Sequence, residues 1–376
     1  MFSANDFIPT PYSQNIVEGS YTWSAPSNIA LVKYWGKKEG KAQQPSHKGE
    51  LAKQIPANPS ISFTLHNCKT ITTLAFTKKE NDGNFSFDLL FEGKPKEDFK
   101  PKIQKFFERI EIYMPFIAAY HFRIDTQNTF PHSSGIASSA SGMAALAMNL
   151  MSLEKALNPE MTDDYFYQKA SFLARLGSGS ACRSIKGEVV VWGNHNTIQG
   201  SSDLYGVEFP NSIHHNFKNF QDTILLVDKG EKQVSSTIGH DLMHNHPFAE
   251  RRFEQAHENL DQLSAVFKSG NLDEFITLVE SEALTLHSMM MTSIPYFILM
   301  KPNTLQIINA IWNYRNETQI PVCFTLDAGA NVHVLYPDHV KEKVLQWIKH
   351  ELVGYCQNGQ YICDQIGKGS QPIIQN

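Results

Sequence analysis

Apolar positions change their period several times along the chain, and each change predicts an element. ITTLAFTK, residues 71–78, sets Leu74 and Phe76 on one face and Thr73 and Thr77 on the other, the two-residue period of a strand. FSFDLLFEG, 85–93, repeats the pattern after the turn-forming KENDGN. PKIQKFFERIEIYM, 101–114, spaces its apolar residues as a helix does, and HFRIDTQN, 121–128, returns to a short strand. A helix follows at MAALAMNLMSLEKAL, and another at MTDDYFYQKASFLARL, where Thr162 before two aspartates reads as an N-cap. GEVVVWG, 187–193, is a strand.

Residues 194–216 turn polar and irregular, which marks a boundary. Beyond it DTILLVD predicts a strand, and residues 250–270, 271–291 and 303–317 predict three helices. VCFTLDAG and NVHVLYP form a strand pair, and residues 339–352 a last helix. Helices and antiparallel-style strands mix in both halves, so the fold class is α+β. At 376 residues, two domains are expected, 1–210 and 211–376.

Composition narrows the function classes. Hydrophobic residues at 41% and charged residues at 19% describe an ordinary globular protein. A net charge of −5 gives no reason to expect nucleic acid or an anionic membrane as partner. No apolar run reaches the roughly 20 residues of a membrane span. MFSANDFIPTPYSQN lacks the basic-then-apolar order of a secretory signal, and the five cysteines form no CxxC pair. Both point to a cytoplasmic location. His240, His244 and His246 lie close together, but no flanking carboxylate completes a ligand set.

Four stretches carry candidate chemistry. PHSSGIASSASG, 131–142, puts small side chains ahead of a helix, where unpaired N–H groups and the helix dipole favour an anion. Ser138, Ser139 and Ser141 would add hydroxyls; a serine-rich turn explains the same residues. In RLGSGSACRS, Ser180 and Arg183 share a face if a helical turn starts there, making a receptor for carboxylate or phosphate. A loop arginine paired with a structural carboxylate is the alternative. SAPSNIALVKYWGKK sets Lys33, Trp35 and Lys37 on one side of a strand and Tyr34 on the other, suiting an anionic ligand or a solvated face. Asp327 ends an apolar strand before Ala-Gly-Ala, either as a general base of tuned pKa or as the cap of a turn.

The joint order is more telling than any one stretch. NIALVKYWGK, NPSISFTL, GIASSASG, GSGSACRS and DAGAN together resemble the diphosphomevalonate decarboxylase family, over about Ser24 to Tyr336. That family lies within the galactokinase, homoserine kinase, mevalonate kinase and phosphomevalonate kinase (GHMP) superfamily. The resemblance implies an N-terminal domain like ribosomal protein S5 domain 2, a ferredoxin-like C-terminal domain, and a site in the cleft between them. It implies ATP-dependent decarboxylation of mevalonate 5-diphosphate to isopentenyl diphosphate, with Mg2+, in a homodimer.

By the same resemblance, Asp327, Lys33 and Arg183 are the catalytic residues, with Asp327 beside the substrate's 3-hydroxyl and Arg183 on its carboxylate. Tyr34, Trp35, Gly36, Lys37, Lys69, Ser178, Gly179, Ser180, Ala181, Cys182, Arg183 and His244 bind substrate. Ser134, Gly135, Ala137, Ser138, Ser139 and Ser141 hold the ATP phosphates, with Ser138 near magnesium. Three departures stand out: a long polar insertion at 38–56, read as a lid or an excursion; Ala330 where the family has proline; and Met243 and His244 where relatives offer a hydroxyl or arginine to the diphosphate. The last keeps a mevalonate 5-phosphate decarboxylase or a mevalonate 3-kinase as alternatives, with a non-catalytic binding protein as a third.

Overall fold

The computed structural model describes residues 2–38, 54–131, 136–229 and 236–374. In chain order they form β1 (Glu18–Val32), β2 (Ser60–Lys78), β3 (Ser86–Phe91), β4 (Lys94–Pro95), α1 (Lys100–Ile110), β5 (Tyr120–Asn128), α2 (Ser138–Leu157), α3 (Asp163–Gly177), β6 (Val189–Trp192) and β7 (Val207–Glu208). Then come β8 (Gln221–Leu225), α4 (Ser236–Asp241), α5 (Ala249–Ser269), α6 (Leu272–Met291), α7 (Pro302–Thr318), β9 (Cys323–Thr325), β10 (Val332–Tyr336), α8 (Lys341–Trp347), β11 (Tyr361–Gln365) and β12 (Gln371–Pro372).

Among these residues the strands make two sheets. One runs β12-β1-β2-β5-β3-β4, with β6 on the first half of β2 and β7 beyond it; the other runs β11-β8-β10-β9. The pairing is antiparallel except between β3 and β5. With helices packed against both sheets, the fold is α+β. No helix among the described residues is long and apolar enough to cross a membrane.

Helices α1, α2 and α3 cover the first sheet over a core that includes Trp23, Leu74, Phe107, Phe122, Met148 and Phe172. α2 is apolar nearly all round, as a helix buried between sheet and helix must be. A second core joins the two sheets: Ile29, Leu31, Phe63 and Val191 of the first meet Leu260, Phe267, Phe275 and Ile224 of the other half. A polar clasp adds to it. Asp364 of β11 accepts the backbone N–H groups of His66, Asn67 and Cys68 at 2.9, 2.7 and 2.7 Å. Packing on both sides explains why the last eleven residues of β1 are all buried.

The structure departs from the sequence reading at particular places. The strands flanking KENDGN do not pair with each other, since β5 lies between them. α2 starts at Ser138, so SSASG is its first turn rather than a loop before it. α3 includes Gly177 and is capped by Ser178, while Thr162 is its N-cap, accepting Tyr165 N–H at 3.3 Å. β1 stops at Val32, so strand alternation does not govern residues 33–37. Residues 39–53 of the 38–56 insertion, and Ser134 and Gly135, lie outside the described residues.

Candidate active site

Lys33 is the first residue beyond β1, and it is buried. Its Nζ donates to Asp327 Oδ1 at 3.1 Å, across 294 positions of sequence. A buried ammonium is costly unless paired. Burial pulls the Lys33 pKa down, and Asp327 first, then Glu282, pulls it back up. The Asp327 side chain is 30% exposed against 2% for Lys33, so the carboxylate is the member of the pair that opens toward solvent.

Asp327 lies in the link between β9 and β10, as its position after an apolar strand predicts. Its carbonyl accepts the Nε2–H of His287 at 3.1 Å. Burial lowers the His287 pKa to about 4, so this ring is neutral near pH 7.

Arg183 sits in a 3-10 turn, Gly179–Ser184, directly after α3. Three residues per turn bring Ser180 and Arg183 into register, as the sequence suggested. The guanidinium is buried, with Nε on Asn28 Oδ1 at 3.3 Å, an NH2 group on Ser60 Oγ at 2.5 Å, and the Trp192 ring 5.8 Å away. Asp327 is close enough to raise the Arg183 pKa, although burial outweighs it. Asn28 also donates to Ser180 O and Ser184 Oγ, at 3.2 and 2.8 Å, so one amide holds the whole turn. Sequence reasoning missed this residue; its signal was an amide directly before the apolar run Ile29–Val32.

Tyr34 and Trp35 both meet His240, with ring centroids 4.1 and 4.7 Å apart. The Tyr34 hydroxyl is buried and has no hydrogen-bond partner among the described residues. A buried orphan hydroxyl marks a place where a ligand completes the site. Gly179 lies against it: a Cβ there would stand 3.1 Å from that oxygen and 3.0 Å from Trp192. Gly36 has φ +105°, a region L side chains rarely adopt, and its N–H donates to His240 Nδ1 at 3.0 Å. That bond leaves the His240 proton on Nε2, and burial, then Lys37 and Arg183, hold its pKa well below the usual histidine value. His240 is a second residue that the sequence reading did not place beside Tyr34, Trp35 and Gly36.

Other expected residues divide. Lys37, half-buried, and His244, exposed, line a cavity of about 680 Å3 with Lys38, Lys102, Lys105 and Arg109, a largely basic wall that also carries Asp241. Ala181 and Cys182 are buried as whole residues, so neither opens toward a ligand. Ser178 and Ser180 are half-buried at the same turn. Trp35 packs with Met243, Met289 and Met290, so its ring supports His240 from below, and Met243 belongs to that apolar cluster. Lys69 lies on β2 opposite Pro26 and makes no ion pair among the described residues. His246 is buried and its Nε2–H donates to Met289 O at 3.1 Å, apart from His240 and its bond to Gly36.

The serine-rich turn presents a bare helix end. Ala137, the N-cap of α2, has φ +43° and no side-chain cap, a strained conformation that leaves the first N–H groups of the helix uncapped by a side chain. Ser138 and Ser139 are half-buried there, and exposed Lys102 reaches Ser139 Oγ at 2.5 Å. Ser141 is committed instead to Thr70 Oγ1, at 2.6 Å, and to Ser138 O. Beside the turn lies a cavity of about 260 Å3 lined by Phe91, Phe99, Ile103, Met143 and Leu146, with Ser138, Ser139 and Lys102 also on its wall. No motif in the sequence announced it.

This geometry agrees with what the chain is similar to. The diphosphomevalonate decarboxylase-like N-terminal domain matches residues 25–203, and the mevalonate 5-diphosphate decarboxylase C-terminal domain matches residues 223–372. A diphosphomevalonate decarboxylase of Ganoderma lucidum is 29% identical over 88% of this chain and 81% of its own. The crystal structure of mevalonate diphosphate decarboxylase from Staphylococcus aureus superposes with TM-score 0.77 at 27% identity, covering 96% of this chain and 99% of that one. MDDEF in complex with MVAPP, AMPPCP and magnesium gives TM-score 0.76 at 27% identity, covering 95% and 99%. With both domains matched in order around the Lys33–Asp327 contact, the chain belongs to the diphosphomevalonate decarboxylase family.

Proposed function

We propose that this chain decarboxylates mevalonate 5-diphosphate with ATP, giving isopentenyl diphosphate, ADP, phosphate and CO2. The observation that carries the reading is the Lys33–Asp327 contact at 3.1 Å, within electrostatic reach of the buried Arg183. The relative solved with MVAPP, AMPPCP and magnesium supports the same pair of ligands here.

Water is a poor leaving group from a tertiary alcohol, so the hydroxyl is first phosphorylated. Asp327 accepts the hydroxyl proton as that oxygen attacks the terminal phosphorus and ADP departs. Phosphate then leaves with the C–O electron pair. The C–CO2 bonding pair forms the alkene, and CO2 is released. Lys33 offsets negative charge gathering on the transferred phosphoryl group. Arg183 holds the carboxylate in line; a tight grip stabilises the ground state, so its contribution is alignment.

The two ends of the site suit two phosphate groups. The N–H groups at the start of α2, with Ser138, Ser139 and Lys102, receive the nucleotide phosphates, and the apolar cavity beside them takes the base. No group of three or more His, Cys, Asp or Glu among the described residues could hold a metal ion, so magnesium would come with the nucleotide, with Ser138 as a protein ligand. Bound there it would neutralise phosphate charge. The substrate diphosphate is assigned to Tyr34, Lys37, His240 and the 178–180 turn, with His244 and Arg109 at the mouth. With the boundary expected at 210/211, the nucleotide residues would fall in one unit and Asp327 in the other.

The deciding experiment supplies Mg-ATP with mevalonate, its 5-phosphate and its 5-diphosphate in turn, following ADP and CO2. CO2 from the diphosphate alone is expected. CO2 from the monophosphate, or ADP without CO2, would replace the reading by the corresponding decarboxylase or 3-kinase. Tyr34→Phe is expected to raise KM for the diphosphate about tenfold, the cost of one hydrogen bond to a charged group. The same change should leave the melting temperature level or slightly higher, because the unliganded protein loses an orphan hydroxyl. An unchanged KM would remove Tyr34 from the diphosphate site.

A further inference from the structure

Lys33 lies just past the end of its strand, where the ladder of β1 no longer fixes the backbone. Something else must hold it. Glu282 of α6 accepts the Lys33 N–H at 2.9 Å through Oε2. Arg252 of α5 donates to the Lys33 carbonyl at 3.1 Å, and Asn58 Nδ2 donates to the same oxygen at 2.9 Å. Arg252 and Glu282 are themselves joined in a bidentate pair at 2.9 and 2.6 Å, and both are buried. Asn259 closes the set on Glu282 Oε1 at 2.6 Å. Both main-chain groups of Lys33 are therefore gripped by one fork from the other half of the molecule.

The same helix holds the partner. His287, five residues on from Glu282 in α6, donates to the Asp327 carbonyl at 3.1 Å. α6 thus touches the main chain on both sides of the Lys33–Asp327 contact. A buried ion pair is a poor source of stability compared with an apolar pair of similar volume, but its geometry is exacting. An apolar pair would have filled this space without bonding to a backbone.

We propose that Arg252 and Glu282 are positioning residues that set the Lys33 ammonium against Asp327, acting through the Lys33 main chain. Neither side chain is assigned to substrate, and the proposal rests on the catalytic reading above. It makes the contact a property of how α5 and α6 seat on β1. Sequence reasoning offers no route to it, because an arginine and a glutamate 30 positions apart on successive helices read as solvated charges.

The test uses the double replacement Arg252→Met with Glu282→Leu in the full chain, which removes both charges and leaves neither one buried alone. Glu282→Gln, nearly isosteric, serves if the double variant does not fold. Initial rates and a crystal structure are measured for whichever variant folds. The expected result is a kcat lowered about thirtyfold, with KM for ATP and for the diphosphate each within about threefold. The crystal structure should show Lys33 Nζ displaced beyond hydrogen-bond distance of Asp327. A retained contact overturns the proposal, as does a kcat within about twofold of the parent or a loss confined to KM. If the parent protein releases no CO2 from the diphosphate, the catalytic reading has failed; if it does and the variants match it, only this inference has.

Discussion

Asp327→Asn is expected to lower kcat by about two to four orders of magnitude, the usual range when a positioned acid or base is lost. Asparagine keeps the size of the side chain and can still accept from Lys33 Nζ, now 3.1 Å from Oδ1. The fold and the His287 bond to the main chain should therefore survive. What disappears is a group able to take the hydroxyl proton and to carry negative charge toward a carbon turning electron-poor. Nucleotide binding, measured by displacement of a fluorescent ATP analogue, should change by less than about threefold, because the helix end and cavity assigned to ATP are built from other residues. Turnover near that of the parent would take Asp327 out of the mechanism.

Much of the fold was legible from local pattern. The strand pair before and after Asp327 and helices α5 to α8 of the C-terminal half lie where two- and 3.6-residue periods put them, whereas α4 was not foreseen. Thr162 caps α3 as its chemistry predicts. What period alone could not give was order in the sheet: β5 inserts between β2 and β3 because a parallel neighbour is free to be non-consecutive in sequence. Nor could small residues be assigned correctly. Ser141 looked like a phosphate donor beside Ser138 and Ser139, yet the turn of α2 points it inward to Thr70.

The candidate site was legible in its charged members and illegible in their supports. Lys33 and Asp327 stand out because charges inside apolar runs need partners, and Arg183 because it shares a turn face with Ser180 among small residues. Asn28, His240, Arg252 and Glu282 act through bonds to residues more than 100 positions away in sequence, or to main chain, and no spacing rule encodes those. Lys33 shows the difference well. On the page of the sequence it is one of two lysines on a supposed strand face; in the structure it is buried and held at both main-chain groups. The apolar cavity next to α2 is likewise assembled from β2, β3, α1, β5 and α2, so only the folded chain has it.

Arg183→Lys is expected to lower kcat/KM by about 10²–10³, a loss of about 3–4 kcal/mol. The charge is kept in principle, so the size of the effect tests geometry. Arg183 spends one edge on Asn28 and Ser60, which fixes the plane of the guanidinium and leaves the rest of the fork for a carboxylate. An ammonium has no plane to fix. Burial also favours the neutral amine, the same cause that lowers the Lys33 pKa, and lysine at 183 has no carboxylate bonded to it to oppose that. The step affected is as informative as the size. If Arg183 aligns the substrate before phosphoryl transfer, ADP formation and CO2 release must fall together, because a misaligned 3-hydroxyl is not phosphorylated. ADP accumulating well ahead of CO2 would instead place Arg183 at the later bond cleavage, and equal rates within about fivefold of the parent would deny it the carboxylate altogether. Loss of both products in step follows if the arginine serves to place a group that must itself depart, since a residue that bound the carboxylate more tightly as it left would hold back the reaction it is there to arrange.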